Sequence, residues 1–276
     1  MGNIFSGNTA ISKIYRGQTE IQKVYKGNVE VWAAGGGGGG VTADLQYYID
    51  GLDPSSYPGS GTTVYDLSGN SNTTTIVGSP TYDATYGAWD IAGVNTKYLT
   101  ATHSSTLNMD YQAGCSFGVW FTKDSTSGYR MLLTKNPSDG KATNEPGNFE
   151  IRNGPGVTSF DNGAQYCTGA GGYNFTTLNG TFDTTNWWFM VYTIQHNGSN
   201  SWTTKLYLNN TLTDTNSETF DAGWGCQNTE PLLIGRRADG SNSWNGKVAY
   251  VKMWGKVLDA TEVDTEWNFQ KARFGY

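Results

Sequence analysis

Three carboxylates stand at alternate positions in Glu262-Val263-Asp264-Thr265-Glu266. On a strand, a period of two would project all three from one face, where a pair of carboxylates could act on a glycosidic bond. Two features of the surrounding chain argue against that chemistry. Asp259-Ala260-Thr261-Glu262 has the form of a capping box, with an N-cap acceptor three residues before a glutamate. The segment then continues through Trp267, Phe269, Gln270, Lys271 and Arg273 with helical composition. On a helix Glu262 and Glu266 share a face and Asp264 does not, so the constellation dissolves.

The remaining chemistry-bearing residues are sparse. His103 and His196 are the only histidines, and neither stands near an acid and a serine or cysteine in a nucleophile motif. Asp66-Leu67-Ser68-Gly69-Asn70-Ser71-Asn72 places oxygen-bearing side chains around a glycine turn, and Asp66, Asn70 and Asn72 are the oxygen types that calcium accepts. The loop offers a single carboxylate, and Asx and Ser turns use the same residues for local hydrogen bonds, so a structural turn is the favoured reading. Trp202, Trp224 and Trp244 lie beside turn residues, and Tyr166 and Tyr173 fall in a glycine-rich stretch from 154 to 173. Aromatics flanked by Asn, Asp and Gly suit sugar faces, which makes Trp202, Trp224, Tyr166 and Tyr173 the candidate glycan contacts. Trp244 serves equally well to brace the final strand.

Composition bounds what can position these groups. The chain has 276 residues, 37 of them Gly, with 15% charged and 14% aromatic residues, a pattern of strands and turns. A net charge of -6 provides no basic field for a phosphate backbone, so nucleic acid is not expected as a partner. No run of about 18 apolar residues and no charged start followed by an apolar stretch is present, so neither membrane insertion nor a signal peptide is expected. Cys115, Cys167 and Cys226 form no short paired spacing of the zinc type, and Cys115 sits in the apolar run 115–121 as a small core side chain. A bond between Cys167 and Cys226 stays open.

From Val41 onward short apolar runs alternate with turn residues. Strands are expected at Leu45–Ile49, Val64–Tyr65, Thr74–Val77, Ala88–Ile91, Tyr98–Leu99, Ser116–Phe121, Arg130–Thr134, Asn148–Arg152, Trp187–Gln195, Thr203–Leu208, Leu232–Ile234 and Lys247–Trp254. This predicts an all-β fold, an antiparallel jelly-roll β-sandwich with a short C-terminal helix. The aromatics inside the strands are core by this reading.

The first 32 residues repeat with a period of ten. Ile4-Phe5-Ser6-Gly7, Ile14-Tyr15-Arg16-Gly17 and Val24-Tyr25-Lys26-Gly27 are followed in register by Ile11, Ile21 and Val31. A glycine between β-branched and aromatic residues supplies a tight turn, so a small β-meander is expected. Units of this length cannot hold a core alone, which implies a partner surface or copies of the same chain. The alternative is a hairpin packed on the main domain. Gly35 to Gly40 then form a flexible hinge by composition, without the Lys-Ser or Lys-Thr of a phosphate loop. The expected domains are residues 1–32, a linker at 33–40 and a sandwich at 41–276.

Residues 11–32 resemble the tyrosine-and-glycine repeats at the start of tailed-bacteriophage virion proteins. That resemblance implies an attachment module carried by Tyr15, Gly17, Tyr25, Gly27 and Trp32, contacting other virion proteins, with the next domain facing outward from the particle surface. Asp44–Asp50, Pro54–Gly61, Tyr65–Asn70, Trp244–Trp254 and Leu258–Val263 together resemble the laminin G-like or concanavalin A-like superfamily. That superfamily implies two curved antiparallel sheets with variable loops at one rim. Its members bind glycans or proteins, and some, as in glycoside hydrolase family 16, cleave polysaccharides with an acidic trio carried mid-domain. Fold does not decide among these roles. The expectation is a non-enzymatic virion structural protein, a capsid decoration, fibre or tail component. It would be a homo-oligomer without a cofactor other than calcium, made in the host cytoplasm. A glycan-binding adhesin for a host surface glycan is the alternative, and a family-16-like hydrolase the remote one.

Overall fold

A computed structural model describes residues 40–125, 128–136, 149–153, 178, 180, 182–217, 219 and 228–276 with their side chains. It describes the strands at 5–6, 9–10, 14–16, 19–21, 23–26, 29–33, 159–160, 166–168 and 172–174, with residues 179 and 218, by their backbone. In the N-terminal segment these are β1 (Phe5–Ser6), β2 (Thr9–Ala10), β3 (Ile14–Arg16), β4 (Thr19–Ile21), β5 (Lys23–Lys26) and β6 (Val29–Ala33). They pair as three separate hairpins, with Phe5 opposite Ala10, Ile14 opposite Ile21 and Val24 opposite Trp32. The ten-residue repeat is therefore a repeat of hairpins, whereas a continuous meander was expected. Each copy places its glycine between two strands of its own, so pairing closes within the copy.

The remaining strands are β7 (Leu45–Asp50), β8 (Thr63–Val64), β9 (Thr74–Val77), β10 (Thr81–Asp83), β11 (Ala88–Asp90), β12 (Tyr98–Ala101), β13 (Cys115–Phe121), β14 (Arg130–Thr134), β15 (Glu150–Asn153), β16 (Ser159–Phe160), β17 (Tyr166–Thr168), β18 (Gly172–Asn174), β19 (Leu178–Asn179), β20 (Trp188–His196), β21 (Ser201–Leu208), β22 (Thr211–Thr219), β23 (Leu232–Ile234) and β24 (Lys247–Trp254). Two antiparallel sheets form the sandwich. One runs β10-β11-β24-β13-β20-β21-β22, with β7 also paired to β24, and the other runs β15-β14-β23-β12-β9-β8.

Alternation along β24 shows how the layers are made. Val248, Val251 and Met253 face the core between the sheets, while Ala249, Tyr250 and Trp254 face the opposite side. That second face is covered by α1 (Ala260–Gln270) and the following turn, whose Val263, Trp267 and Phe274 pack on Tyr48, Trp120, Phe189 and Trp254. Trp120 lies at the centre, stacked on Phe274 at 4.0 Å and on Trp267 at 5.3 Å. Each such apolar side chain contributes roughly 1.5–3 kcal/mol by burial. The sheet is thus apolar on both faces, which is why its strands read as continuous apolar runs. Among the described residues no helix is long and apolar enough to cross a membrane.

Candidate functional site

The register brings several separate loops to one end of the sandwich. Ala101 lies opposite both Thr74 and Leu232, so β12 ends where β9 and β23 begin. Thr134 pairs with Leu233 and Glu150, so β14 ends there too. In the other sheet, Cys115 opposite Ile194 and His196 opposite Trp202 place the start of β13, the end of β20 and the start of β21 at that end. One rim consequently carries the turn 66–72, the segment 103–108, Lys135, the hairpin at 196–202 and Asn228. These stretches lie far apart in the chain.

The turn at 66–72 is built by Asp66. Its Oδ1 accepts from the backbone N–H groups of Tyr48 at 3.0 Å and Ser68 at 2.9 Å, and its Oδ2 accepts from that of Asn72 at 2.9 Å. Asn70 Nδ2 donates to the carbonyls of Leu45 and Gln46 at 3.1 and 3.0 Å. Asn72 Nδ2 donates to Gln46 O at 3.1 Å and to Thr106 Oγ1 at 3.0 Å, while its Oδ1 accepts from Ser104 Oγ at 2.5 Å. Calcium would have to displace three N–H donors from the single carboxylate. Among the described residues, no group of three or more His, Cys, Asp or Glu side chains is placed to hold a metal. The hydrogen bonds of Asp66, Asn70 and Asn72 form a brace that ties β7 to the 104–106 segment.

Lys135 is the cation among these groups, and it is fully buried. Its ammonium donates to Asn228 Oδ1 at 2.6 Å and to Asn228 O at 3.3 Å, and lies 3.3 Å from His103 Nδ1. Asn228 Nδ2 returns a bond to Lys135 O at 2.8 Å, and Asn108 Nδ2 donates to Asn228 O at 3.2 Å. Burial pushes the Lys135 amine down to about 8, with Glu230 opposing. Burial, and then the charge of Lys135, lower the His103 imidazole. Neither group meets a serine, cysteine or second acid in a relay among the described residues. What the rim offers is a fixed set of amide, hydroxyl, imidazole and amine hydrogen-bonding groups, suited to polar recognition.

The structure corrects the placement of Trp202. Its side chain is only 6% exposed and packs into the core between the sheets, stacked on His196 at 4.4 Å. It is the second residue of β21, and alternation turns it inward, so it offers no platform to a sugar. Trp244 is also buried and donates Nε1–H to Thr122 O at 2.9 Å, bracing the start of β24. Trp224, Gly17, Gly27 and Cys226 lie outside the described residues. Tyr15, Tyr25, Trp32, Tyr166, Cys167 and Tyr173 are described only as strand backbone, in β3, β5, β6, β17 and β18. Cys115 is buried.

The acidic trio lies on α1. Asp259 Oδ1 accepts from the N–H groups of Thr261 and Glu262, and Glu262 Oε2 accepts from the N–H of Asp259 at 3.1 Å, which completes the capping box. Glu262 pairs with Lys256 at 2.5 Å, and Asp264 accepts from Asn210 at 2.7 Å. Glu266, fully buried, pairs with Lys252 at 3.0 Å and accepts from Tyr250 Oη at 2.6 Å and from the Val41 N–H. The three carboxylates thus serve three different partners. The Lys252–Glu266 pair was missed by the sequence reading, although a lysine inside the apolar run 248–254 signals that a counter-charge must exist.

A family model described as the concanavalin A-like lectin/glucanases superfamily matches residues 92–264. The chain belongs to that superfamily. The match spans the sandwich from before β12 into α1. Among solved structures, this lectin-like sandwich is similar to the binding domain of botulinum neurotoxin DC in complex with SialylT, at 12% identity and TM-score 0.57, over 82% of this chain and 52% of that one. It is also similar to the ligand-binding domain of botulinum neurotoxin serotype D in complex with N-acetylneuraminic acid, at 12% identity and TM-score 0.57, over 83% and 52%. The binding domain of Paraclostridial mosquitocidal protein 1 is similar at 14% identity and TM-score 0.52, over 82% and 52%. The chain therefore spans about half the length of these neighbours, and the likeness is one of fold. A search of curated protein sequences gave no match.

Proposed function

We propose that this chain is a non-enzymatic display protein of a bacteriophage particle, seated by residues 1–32 and presenting the lectin-like sandwich outward as a decoration, fibre or tail component. The observation that carries the non-enzymatic part is the fate of the acidic trio. Glu266 is engaged by a buried lysine, Glu262 caps a helix, and Asp264 holds a loop asparagine. A glycosidase needs two carboxylates facing one substrate bond. The attachment part is supported by the hairpin repeat, whose units are too small to form cores and so call for neighbours, virion proteins or further copies of the chain. The test is incorporation of the chain into particles with and without residues 1–32. Loss on deletion is the expected result, and normal incorporation would refute the attachment role.

A second reading, glycan recognition at the loop rim, is favoured by the cluster of His103, Asn108, Lys135 and Asn228. Two neurotoxin neighbours of the same fold are described in complex with SialylT or N-acetylneuraminic acid, which supports the class of ligand. Weak single-site affinity would be multiplied by many copies on a particle. Binding of the oligomerised chain to a glycan array, compared with an Asn228→Ala variant, tests it. Absence of signal at high valency would leave the structural role standing alone.

A further inference from the structure

Lys123 follows β13 at the end of the sandwich opposite the rim described above. Its side chain is only 1% exposed, and its ammonium lies 4.6 Å from the centroid of the Phe182 ring. Lys135 has Asn228 oxygens as acceptors and Glu230 nearby; Lys123 has neither kind of support. Among the described residues no oxygen accepts from it and no carboxylate pairs with it. Burial and the neighbouring Arg130 both act against its charge and push the amine down to about 8. Of the acids of this end, Asp183 accepts from Thr185 and Asn186 and Asp83 pairs with Lys247 at 2.6 Å, while Asp90 and Asp124 lie in the field of Lys247.

A second donor shares the place. Trp188 meets Phe182 edge-on, with centroids 6.2 Å apart, and its Nε1 is buried without a hydrogen-bond partner. Two buried donors flank one aromatic ring, and Arg130 stands close by, donating to Ser243 O at 3.4 Å. A buried cation and a buried N–H that lack acceptors are each costly, and a single oxyanion relieves both.

We infer that this end of the sandwich is an oxyanion-binding site, in which Lys123 and the Trp188 indole N–H donate to a carboxylate or sulfate group. Arg130 adds its field. The site lies at the other end from the loop rim of the glycan reading and does not rest on that reading; glucuronate tests whether a saccharide can carry the acidic group.

The experiment titrates the full-length protein with sodium sulfate, with glucuronate and with glucose at constant ionic strength set by chloride, following tryptophan fluorescence and heat. Saturable binding of sulfate or glucuronate, at least tenfold tighter than any binding of glucose, is expected. Lys123→Met should weaken it at least tenfold, and Lys135→Met, at the other rim, should leave it within twofold. Trp188→Phe keeps the ring, removes the donor and should weaken binding several-fold, which tests the site even if Lys123→Met fails to fold. No saturable response to either anion, equal binding of glucose, or unchanged affinity in Trp188→Phe or in folded Lys123→Met would overturn the assignment. A negative glycan array beside positive sulfate binding would retire the saccharide reading alone.

Discussion

Replacing Glu266 by Gln isolates the charge at the most enclosed polar point of the protein. Lys252 and Glu266 are both without exposed side-chain surface, with Nζ 3.0 Å from Oε1 and 3.4 Å from Oε2. Gln keeps the shape; its amide oxygen accepts from the Val41 N–H while its NH2 group donates to Tyr250 Oη, so the change removes the counter-charge and reverses one hydrogen bond. Breaking a buried pair in this way costs about 3–5 kcal/mol, because a buried cation loses its counter-charge. For a domain of this size 1 kcal/mol corresponds to about 2–4 °C, so Tm should fall by roughly 6–20 °C. Adding Lys252→Met removes the stranded cation, and the double variant should return to within about 1–2 kcal/mol of the parent. The pH dependence has a definite sign. Burial already lowers the Lys252 amine against the pull of Glu266, and loss of Glu266 removes that pull. Between the folded value and the ordinary value of about 10.4 the unfolded chain binds more protons, so stability rises with pH and the deficit of the single variant shrinks from pH 7 to 10. Urea unfolding at several pH values measures all of this. A single variant within about 1 kcal/mol of the parent, or a double variant as unstable as the sum of the singles, would refute the account.

Lys135, with its amine lowered to about 8, contributes a rise of stability with pH between about 8 and the ordinary lysine value, and Lys135→Met should flatten that slope in urea titrations. Trp202→Ala should cost about 3–5 kcal/mol by emptying a core position, seen as a lower Tm. Asp66→Ala leaves three backbone N–H groups without an acceptor and should cost at least about 1–3 kcal/mol. The loss should be equal in calcium and in chelator; a calcium-dependent Tm in the parent that vanishes in the variant would show that the turn binds the ion.

Strands with one or two apolar faces were legible as sequence. Arg130–Thr134, Leu232–Ile234 and Lys247–Trp254 lie at the expected residues, and the Asp259 capping box forms as its spacing requires. Thr211–Thr219 was not legible. It is an edge strand, TLTDTNSET, whose partner β21 supplies hydrogen bonds while its side chains face outward, so it carries no apolar pattern. Thr81–Asp83 escaped because it is a three-residue edge strand with a single aromatic, Tyr82, packed on the core. At the rim, composition could nominate Asp66 and Asn72, yet the meeting of Asn72 with Gln46, Ser104 and Thr106 joins segments 26 to 34 residues apart, which local pattern does not encode. Trp202 misled because a turn precedes it, and the strand begins one residue earlier, at Ser201.

The Val41 contacts have a mechanical meaning. Its N–H is held by Glu266, and its carbonyl accepts from Trp254 Nε1 at 2.9 Å, immediately after the glycine run. At Gly40, where φ is +88°, an added Cβ would fall 2.3 Å from Glu266 Oε1. Tension arriving along the glycines is therefore delivered to the end of β24 and to α1 before it reaches β7. β24 is paired on both sides, to β13 and to β7, so a pull must first release a buried ion-pair clasp and cannot simply peel an edge strand. If residues 1–32 seat the chain on a particle as proposed, a pull along the glycines loads the sandwich at β24, a strand paired on both sides.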